Sequence, residues 1–363
     1  MRDPACPSTT ASFALPTADL AAIAERILAF LTPSAEGCAY SLSQDGRGYD
    51  YIHCEVSGYA LSFFLRLEGE GIAQYKPAAE GLAAFLLQTQ KPSGAFPHSV
   101  RAGEGLPLRD CEVYSFDTAV CASALLDYAA ARGCSQSAAA VQRALDWLTE
   151  KAQRTDGSFR CVYDERGGDW DCAARSSFWS SEGGCYLGKI LIPLLKGRRY
   201  EPANRLVGYL LAARRADNAW NASPRHTQAH THAMLYALEG LAFYSFTQRQ
   251  PVAQDAVAGA MQWLSGLALR NGGLPAWESE PQTLFRSDAQ LQYLRLADLL
   301  GPEIAPPEAR EACALRLLTL RTADGFWRFD TGPNGRSARL PSWPLVFEGC
   351  LHLQGSPKTE RIV

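Results

Sequence analysis

The sequence predicts an all-α protein, a single (α/α)6 toroid in which six outer and six inner helices alternate around a ring. The first observation is a set of short loops that pair glycine or asparagine with an aromatic or apolar residue and recur at steps of roughly 50 to 60 residues. A step of that length holds two helices and two loops. The loops are centred on Gly94, Gly157, Asn218, Gly273 and Gly325.

The second observation is that the helices between these loops are of two kinds, in strict alternation. A helix with one charged face lies on the outside of a protein, whereas a helix that is apolar on all sides is buried. The predicted outer helices span 18–32, 76–90, 136–153, 200–214, 251–269 and 306–321. The predicted inner helices span 55–67, 114–132, 177–196, 229–247, 286–300 and 341–354.

The pattern predicts one domain over residues 1–363, with residues 1–17 as an irregular N-terminal segment. No linker rich in proline, serine or glycine divides the chain, and no alternating apolar–polar run is long enough to predict a strand of useful length.

Composition excludes several classes of function. The 363 residues are 47% hydrophobic, and 35 Lys and Arg against 38 Asp and Glu leave a net charge of −3, which does not favour a nucleic-acid-binding protein. No apolar run approaches the roughly 20 residues of a membrane span, and no secretory signal is visible. The eleven cysteines form no C-x-x-C pair, so we expect reduced thiols and a cytoplasmic protein. The sequence leaves the oligomeric state open.

The predicted topology locates a functional site. Because the inner helices all run in the same direction, their N-termini meet at one end of the ring, and the glycine–aromatic loops lie at that end too. Helix N-termini present N–H groups and positive dipole ends, which favour anions and carboxylates. A cleft at this end is therefore the predicted site for a small molecule or an oligosaccharide.

Four residues near the starts of inner helices are the candidate catalytic groups: Glu55, Tyr59, Asp117 and His232. A carboxylate within an apolar helix is costly unless it is paired, and general acid–base chemistry is one reason to keep it there. A helix cap or an internal ion pair is the alternative explanation. A histidine with a pKa near neutrality suits proton transfer.

Further residues at the same end are candidates for substrate binding, because aromatic rings stack on substrates and polar groups orient them. They are Tyr114, Trp179, Glu182, His230, Trp277, Arg286, Asp288, Gln290, Trp327 and Trp343. Repeat-loop aromatics such as Phe96, Phe159 and Trp220 are expected to fill gaps between helices instead.

We expect no metal or other cofactor. The alternative is zinc, since His226, His230 and His232 form a histidine cluster in the sequence. Zinc needs three or four converging ligands, and the spacing of these histidines brings two of them to one face only if their segment is helical. A structural role for these histidines also stays open.

Residues 81–96 and 147–159 resemble degenerate repeats of the squalene/terpenoid cyclase and protein prenyltransferase superfamily. The resemblance covers most of the chain and implies the α/α toroid. The chain is most similar to bacterial members of this superfamily that are identified by such repeats alone, a group that implies no particular activity.

The segment Tyr114-Ser-Phe116-Asp117-Thr118 resembles the end of the acid motif of class II cyclases, Asp-x-Asp-Asp-Thr. In those cyclases the middle Asp is the proton donor. Phe116 stands at that position here, and Asp117 matches the last Asp of the motif.

These observations rank three functions. The first is an enzyme that acts on a carbohydrate, as a glycoside hydrolase, lyase or epimerase, with Glu55 and Asp117 as the acid–base pair and Tyr59 or His232 as a base. The second is a cyclase-like or prenyltransferase-like enzyme that acts on an isoprenoid. The third is a non-catalytic toroid that binds a glycan or a protein. Fold alone does not decide among them.

Overall fold

A computed structural model describes residues 20–31, 37, 51–101, 111–170, 180, 182–279, 284–331 and 343–353. The predicted irregular segment 1–17 lies outside the described residues. The outer helices are α1 (Leu20–Leu28), α3 (Lys76–Thr89), α5 (Ser135–Asp146), α7 (Tyr200–Ala213), α9 (Pro251–Asn271) and α11 (Pro307–Leu318). The inner helices are α2 (Cys54–Gly69), α4 (Ser115–Arg132), α6 (Leu191–Lys196), α8 (Thr231–Gln248), α10 (Ser287–Leu300) and α12 (Trp343–His352).

The inner helices form a closed ring. Each packs against the next in chain order, and α12 packs back against α2. The outer helices α3, α5, α7, α9 and α11 each lie against the inner helix that precedes them, while α1 packs on α12 and α2 and completes the outer layer. The prediction of an (α/α)6 toroid is confirmed. No helix among the described residues is long and apolar enough to cross a bilayer.

Burial follows the two helix types that the sequence predicts. The inner helix α8 is buried without interruption from Thr231 to Ser245. The outer helix α5 buries one stripe at helical spacing and exposes the rest. That stripe is Ser137, Ala140, Val141, Ala144 and Leu145.

The third inner helix differs from the predicted continuous helix. The sequence predicts a helix from residue 177, and residues 171–179 and 181 lie outside the described part of the chain. Ser180 has 3-10 geometry, residues 182–184 are not helical, and a 3-10 helix at Cys185–Ile190 then continues into α6. Gly184 precedes the helix in an extended conformation, and a Cβ atom there would lie 2.1 Å from the Ala222 carbonyl oxygen. The backbone at Gly184 therefore lies against the loop that contains Ala222, immediately before the helix begins.

Five short strands at the site end of the ring depart from the predicted all-α pattern. The strand β1 (Tyr51–His53) pairs with β2 (Ser99–Arg101), and β4 (Val162–Asp164) pairs with both β3 (Glu112–Tyr114) and β5 (Asp169–Trp170), all antiparallel. Each has only two or three residues, too few for a periodic signal. Because β1 and β3 run directly into α2 and α4, they fix where these inner helices begin.

The recurring loops connect one repeat to the next. Gln90 donates to the carbonyl oxygens of Gly94 and Ala140, and Gln153 donates in the same way to Gly157 and Pro202. Gly94 has φ of +96°, and a Cβ there would lie 2.3 Å from the Arg143 carbonyl oxygen, so this close approach requires glycine. The predicted gap-filling aromatics are confirmed as buried, at no more than 1% exposure: Phe96, Phe159 and Trp220.

Candidate active site

A cavity of about 620 Å³, counting its open mouth, lies at the end of the ring where the inner helices begin. We call it the central cavity. It combines carboxylates, imidazoles and aromatic rings from three inner helices and the adjoining loops. Its lining residues are His53, Glu55, His98, Tyr114, Phe116, Asp117, Ser180, Tyr186, His232 and Tyr236. Of the four predicted catalytic residues, Glu55, Asp117 and His232 come together here, with the predicted binding residue Tyr114.

Glu55 lies in the first turn of α2, and its side chain is 16% exposed. Burial raises the pKa of the Glu55 carboxyl well above its usual value, and the negative charge of Asp117 raises it further. The ammonium group of Lys189 acts in the opposite direction. Glu55 is therefore a carboxylic acid that holds its proton to higher pH than an exposed glutamate.

Asp117 lies in the first turn of α4, buried against a histidine from a loop. The Nδ1 atom of His98 is 2.7 Å from the Oδ2 atom of Asp117. Burial raises the pKa of Asp117, and His98 lowers it both by charge and by this hydrogen bond. His98 holds the carboxylate in a fixed orientation on the cavity wall.

His98 also faces a second histidine, His53, with 3.2 Å between their Nε2 atoms. The Nδ1 atom of His53 accepts a hydrogen bond from the Val56 amide and caps the N-terminus of α2. Nδ1 of His53 is then the unprotonated nitrogen, so its Nε2–H donates to Nε2 of His98, and Nδ1–H of His98 donates to Asp117. Burial lowers the pKa of His53 well below its usual value, in agreement with a neutral ring.

His232 lies on the opposite side of the ring, in the fourth of the six inner helices. Its Nδ1 atom is 2.6 Å from Oε1 of Gln292, whose Nε2 in turn donates to Glu239 at 3.1 Å. The second contact orients the amide, and because its oxygen only accepts, Nδ1 of His232 carries the proton. Burial lowers the pKa of His232 to about 4. Its Nε2 atom is therefore unprotonated at neutral pH and lies 3.5 Å from Oδ2 of Asp288.

Below the central cavity, Glu239 is fully buried and anchors a network of charges. It accepts from Lys189 at 2.5 Å, from Gln292 and from Arg295. Lys189 also lies 5.0 Å from the ring centre of Tyr236, and burial lowers its pKa to about 8. The pairing offsets the cost of burying these charges and holds together α8, α10 and the 3-10 helix that leads into α6.

Tyr59, the fourth predicted catalytic residue, lies one turn deeper in α2 than Glu55 and is 1% exposed. It lines a second cavity of about 250 Å³ between α2, α4 and α6, rather than the central cavity. Its ring stacks over Lys189 at 4.9 Å. Tyr59 is thus part of the layer beneath the site.

The predicted binding residues Arg286 and Asp288 engage each other. The guanidinium of Arg286 donates to both carboxylate oxygens of Asp288, at 3.0 and 2.5 Å, and stacks on Phe329. Asp288 is fully buried beside His232. Arg286 thus neutralises and holds the carboxylate that lies beside His232.

Several predicted residues make structural contacts outside the central cavity. Gln290 is fully buried and binds the backbone of Leu274, and Trp327 donates to Glu348. Glu182 forms an ion pair with Arg225 at 2.8 Å. His230 caps α8 and contacts the ring of Trp277 edge-on. Trp179 and the side chain of Trp343 lie outside the described residues.

The alternative zinc cluster is not assembled within the described part of the chain. His226 contacts the Ser223 hydroxyl at 2.8 Å, His230 is a helix cap, and His232 contacts Gln292. The potential metal-ligand group found among the described residues is a different one, His53, His98 and Asp117. The sequence analysis missed His98, which follows a loop far from any inner-helix start; its position in Phe96-Pro97-His98, after a predicted loop, was the available signal.

No protein-family model and no curated protein matches this chain. Solved structures do. A sugar epimerase from a ruminal bacterium superposes with a TM-score of 0.67 at 12% identity, over 93% of this chain and 99% of that one. Cellobiose 2-epimerase from Bacillus thermoamylovorans gives a TM-score of 0.70 at 9% identity, over 90% and 94%.

The chain has the fold of these α/α-toroid proteins. A type II terpene cyclase from Scytonema also superposes, with a TM-score of 0.56 at 16% identity, over 85% of this chain and 80% of that one. Toroids associated with sugar and with isoprenoid chemistry therefore share this architecture. At these identities the likeness establishes the fold, and the chemistry has to be argued from the site.

Proposed function

We propose that this protein is an enzyme that acts on a carbohydrate by general acid–base catalysis in the central cavity, with sugar epimerisation or isomerisation as the reaction. The observation that carries the proposal is the pairing of His232 with Glu55 across the ring. His232 has an unprotonated Nε2 atom that can accept a proton, and burial raises the pKa of Glu55 well above its usual value. Groups with opposite proton affinities in one cavity mark an acid and a base.

Epimerisation next to a carbonyl group needs this arrangement. A base removes the proton from the carbon beside the carbonyl, and an acid delivers a proton to that carbon from the other face. The helices α2 and α8 are the first and fourth of six inner helices, so Glu55 and His232 approach a bound sugar from opposite sides. Deprotonation beside the carbonyl requires the open-chain form of the sugar. Tyr114, Phe116 and Tyr236 supply rings that pack against the apolar C–H groups of the substrate.

The solved structures support this choice, because those superposing at the higher TM-scores include sugar epimerases and a D-mannose isomerase. The carboxylates in the cavity argue against a purely binding toroid. A binding platform has no need of a buried carboxylic acid opposite a neutral imidazole.

The test is solvent exchange. The protein is incubated in D₂O with mannose, glucose and cellobiose, and deuterium at C2 and the epimeric product are followed by NMR. His232→Gln and Glu55→Gln should each lower the exchange rate by about 10²- to 10⁴-fold. His226→Gln, which changes a histidine at the neighbouring loop, is the matched control and should keep the wild-type rate. If the protein hydrolyses a glycoside and catalyses no exchange at C2, its reaction is hydrolysis and the proposal of epimerisation is wrong.

An isoprenoid substrate is the second candidate. The observation that favours it is the aromatic wall, since the centre of the Phe116 ring is 4.7 Å from that of Tyr236 and 5.5 Å from that of Tyr186. Aromatic faces stabilise cations. This function would be supported if wild-type protein cyclised a linear isoprenoid and catalysed no sugar exchange. The Asp117→Asn variant should then lose the cyclisation activity.

A further inference from the structure

One wall of the central cavity brings together His53, His98 and Asp117. We propose that these three residues form a binding site for a divalent transition-metal ion such as Zn²⁺. The proposal goes beyond the acid–base function and does not depend on it. Two imidazoles and one carboxylate form a donor set that binds such ions with coordination positions left open for water or substrate.

The geometry of the donors supports the site. One ligand atom from each of the three residues lies within 4.8 Å of the others. The Nδ1 atom of His98 is 2.7 Å from Oδ2 of Asp117, and the rings of His98 and His53 meet edge to face with their centres 4.2 Å apart. Two ligand atoms of a tetrahedral zinc ion are about 3.3 Å apart, so one donor atom from each residue can reach an ion with small displacements of these side chains.

The site is built from three separate elements that the fold holds in place. His53 caps α2, Asp117 lies in the first turn of α4, and His98 is in the segment that leads into β2. His53 is 1% and Asp117 3% exposed. Ligands that are fixed before the ion binds lose little conformational entropy when they coordinate it.

A carboxyl group lies beside His53 on the side away from the proposed ion. Glu55 Oε2 is 3.8 Å from Nδ1 of His53. Histidine ligands usually donate their other N–H to such a partner. Binding of the ion would shift the proton of His53 from Nε2 to Nδ1, replacing the 3.4 Å contact from the Val56 amide by a hydrogen bond to Glu55.

The ion would face the central cavity, where all three ligands line the wall. At that place it would act on an oxygen atom of the bound substrate as a Lewis acid.

The experiment measures metal binding in the absence of any sugar. Protein dialysed against a chelator is titrated with Zn²⁺ and with Co²⁺, and bound metal is determined by mass spectrometry of the eluted ion. We expect one tightly bound ion per chain, and a Co²⁺ spectrum without the thiolate charge-transfer bands that coordination by the free cysteines would produce. His98→Ala should lower the affinity at least a hundredfold, and Glu55→Gln about ten- to a hundredfold.

His226→Ala is the control and should bind the ion like wild type. His98→Asn serves as a second variant if His98→Ala does not fold, and His53→Asn keeps a side chain that can cap α2. An ion retained at wild-type affinity in both His98 variants, or no ion bound by wild type, would overturn the metal site. Sugar exchange is measured separately from metal binding. Exchange at C2 without metal binding would contradict the metal site and leave the proposed function standing. Metal binding without exchange would contradict the proposed function and leave the metal site standing.

Discussion

Asp117 Oδ2 accepts a hydrogen bond from Nδ1 of His98 across 2.7 Å, joining the first turn of the inner helix α4 to the loop that follows the outer helix α3. This contact keeps the carboxylate beside Glu55, where its charge influences the pKa of Glu55. One hydrogen bond thus connects the loop, the helix and the acid of the proposed reaction.

Asp117→Asn should lower the pKa of Glu55, because the substitution removes the neighbouring negative charge that raises it. Since Glu55 is the acid of the proposed reaction, the fall of activity at high pH should begin at a lower pH in this variant. The pKa is measured by NMR titration of ¹³C-labelled glutamate carboxyls. Asp127→Asn, at the other end of α4 and paired with Lys196, removes the same charge far from the site and should leave the pKa of Glu55 unchanged. An unchanged pKa in Asp117→Asn would contradict this electrostatic coupling.

His232 should make the protein less stable in acid. Its pKa is about 4 in the folded state and about 6.5 when exposed, so the unfolded chain takes up a proton first as the pH falls. The stability that neutral His232 contributes is present above pH 6.5 and is lost between about pH 6.5 and 4, up to about 3 kcal/mol. Unfolding free energies from urea titrations at pH 7 and 4.5 measure the change. In His232→Gln the loss of stability between pH 7 and 4.5 should be smaller than in wild type, with the remainder due to other buried histidines. An equal loss of stability in wild type and His232→Gln would contradict this contribution of His232.

Gly240→Ala should strongly destabilise the ring. A Cβ atom at Gly240 in α8 would lie 1.9 Å from the carbonyl oxygen of Gly188, where two inner helical segments touch backbone to backbone. Overpacking of this kind costs about 1–3 kcal/mol or more. The matched control is Gly208→Ala in α7, where the added Cβ meets nothing within 4 Å. Gly208→Ala should gain up to about 1 kcal/mol of stability from helix propensity. Thermal unfolding should therefore show a lower Tm for Gly240→Ala and a higher Tm for Gly208→Ala than for wild type.

Cys134 should be the most reactive of the eight described cysteines. It lies just before α5, partly exposed, and hydrogen bonds from Ser137 lower its thiol pKa. Burial instead raises the pKa of Cys54 and Cys185 to about 12, which suppresses their thiolates. Brief alkylation followed by peptide mass spectrometry ranks the cysteines, and Ser137→Ala should slow the labelling of Cys134. Earlier labelling of a buried cysteine would indicate local opening of the ring.

The sequence was informative wherever burial repeats locally. An inner helix such as α8 is apolar on every face, and an outer helix such as α5 has one buried stripe, so the periodicity of each segment identifies its layer. The alternation of the two kinds then gives the ring and the end where inner helices begin. Glu55, Asp117 and His232 could be predicted as neighbours on that basis, although their assigned roles remain proposals.

The pairing of buried polar groups could not be predicted in this way. Arg295 and Glu239 meet across two inner helices, and His98 reaches Asp117 from a loop. Such contacts depend on how the ring closes and on the path of each loop, and neither leaves a periodic signal. The sequence predicts Gln290 and Trp327 at the site because they stand near the starts of inner helices. Both instead make buried structural contacts, which the periodicity of the sequence does not reveal.

The sequence by itself determined the helical alternation, the closed ring and the end that carries polar side chains, because apolar periodicity is encoded every three or four residues. Only the tertiary structure decided that His98 joins Asp117 and His53, that Gln292 sets the tautomer of His232, and that Tyr59 lies beneath the cavity. These relationships link distant parts of the chain, and their energies arise from hydrogen bonds and charges that exist only after the ring has closed.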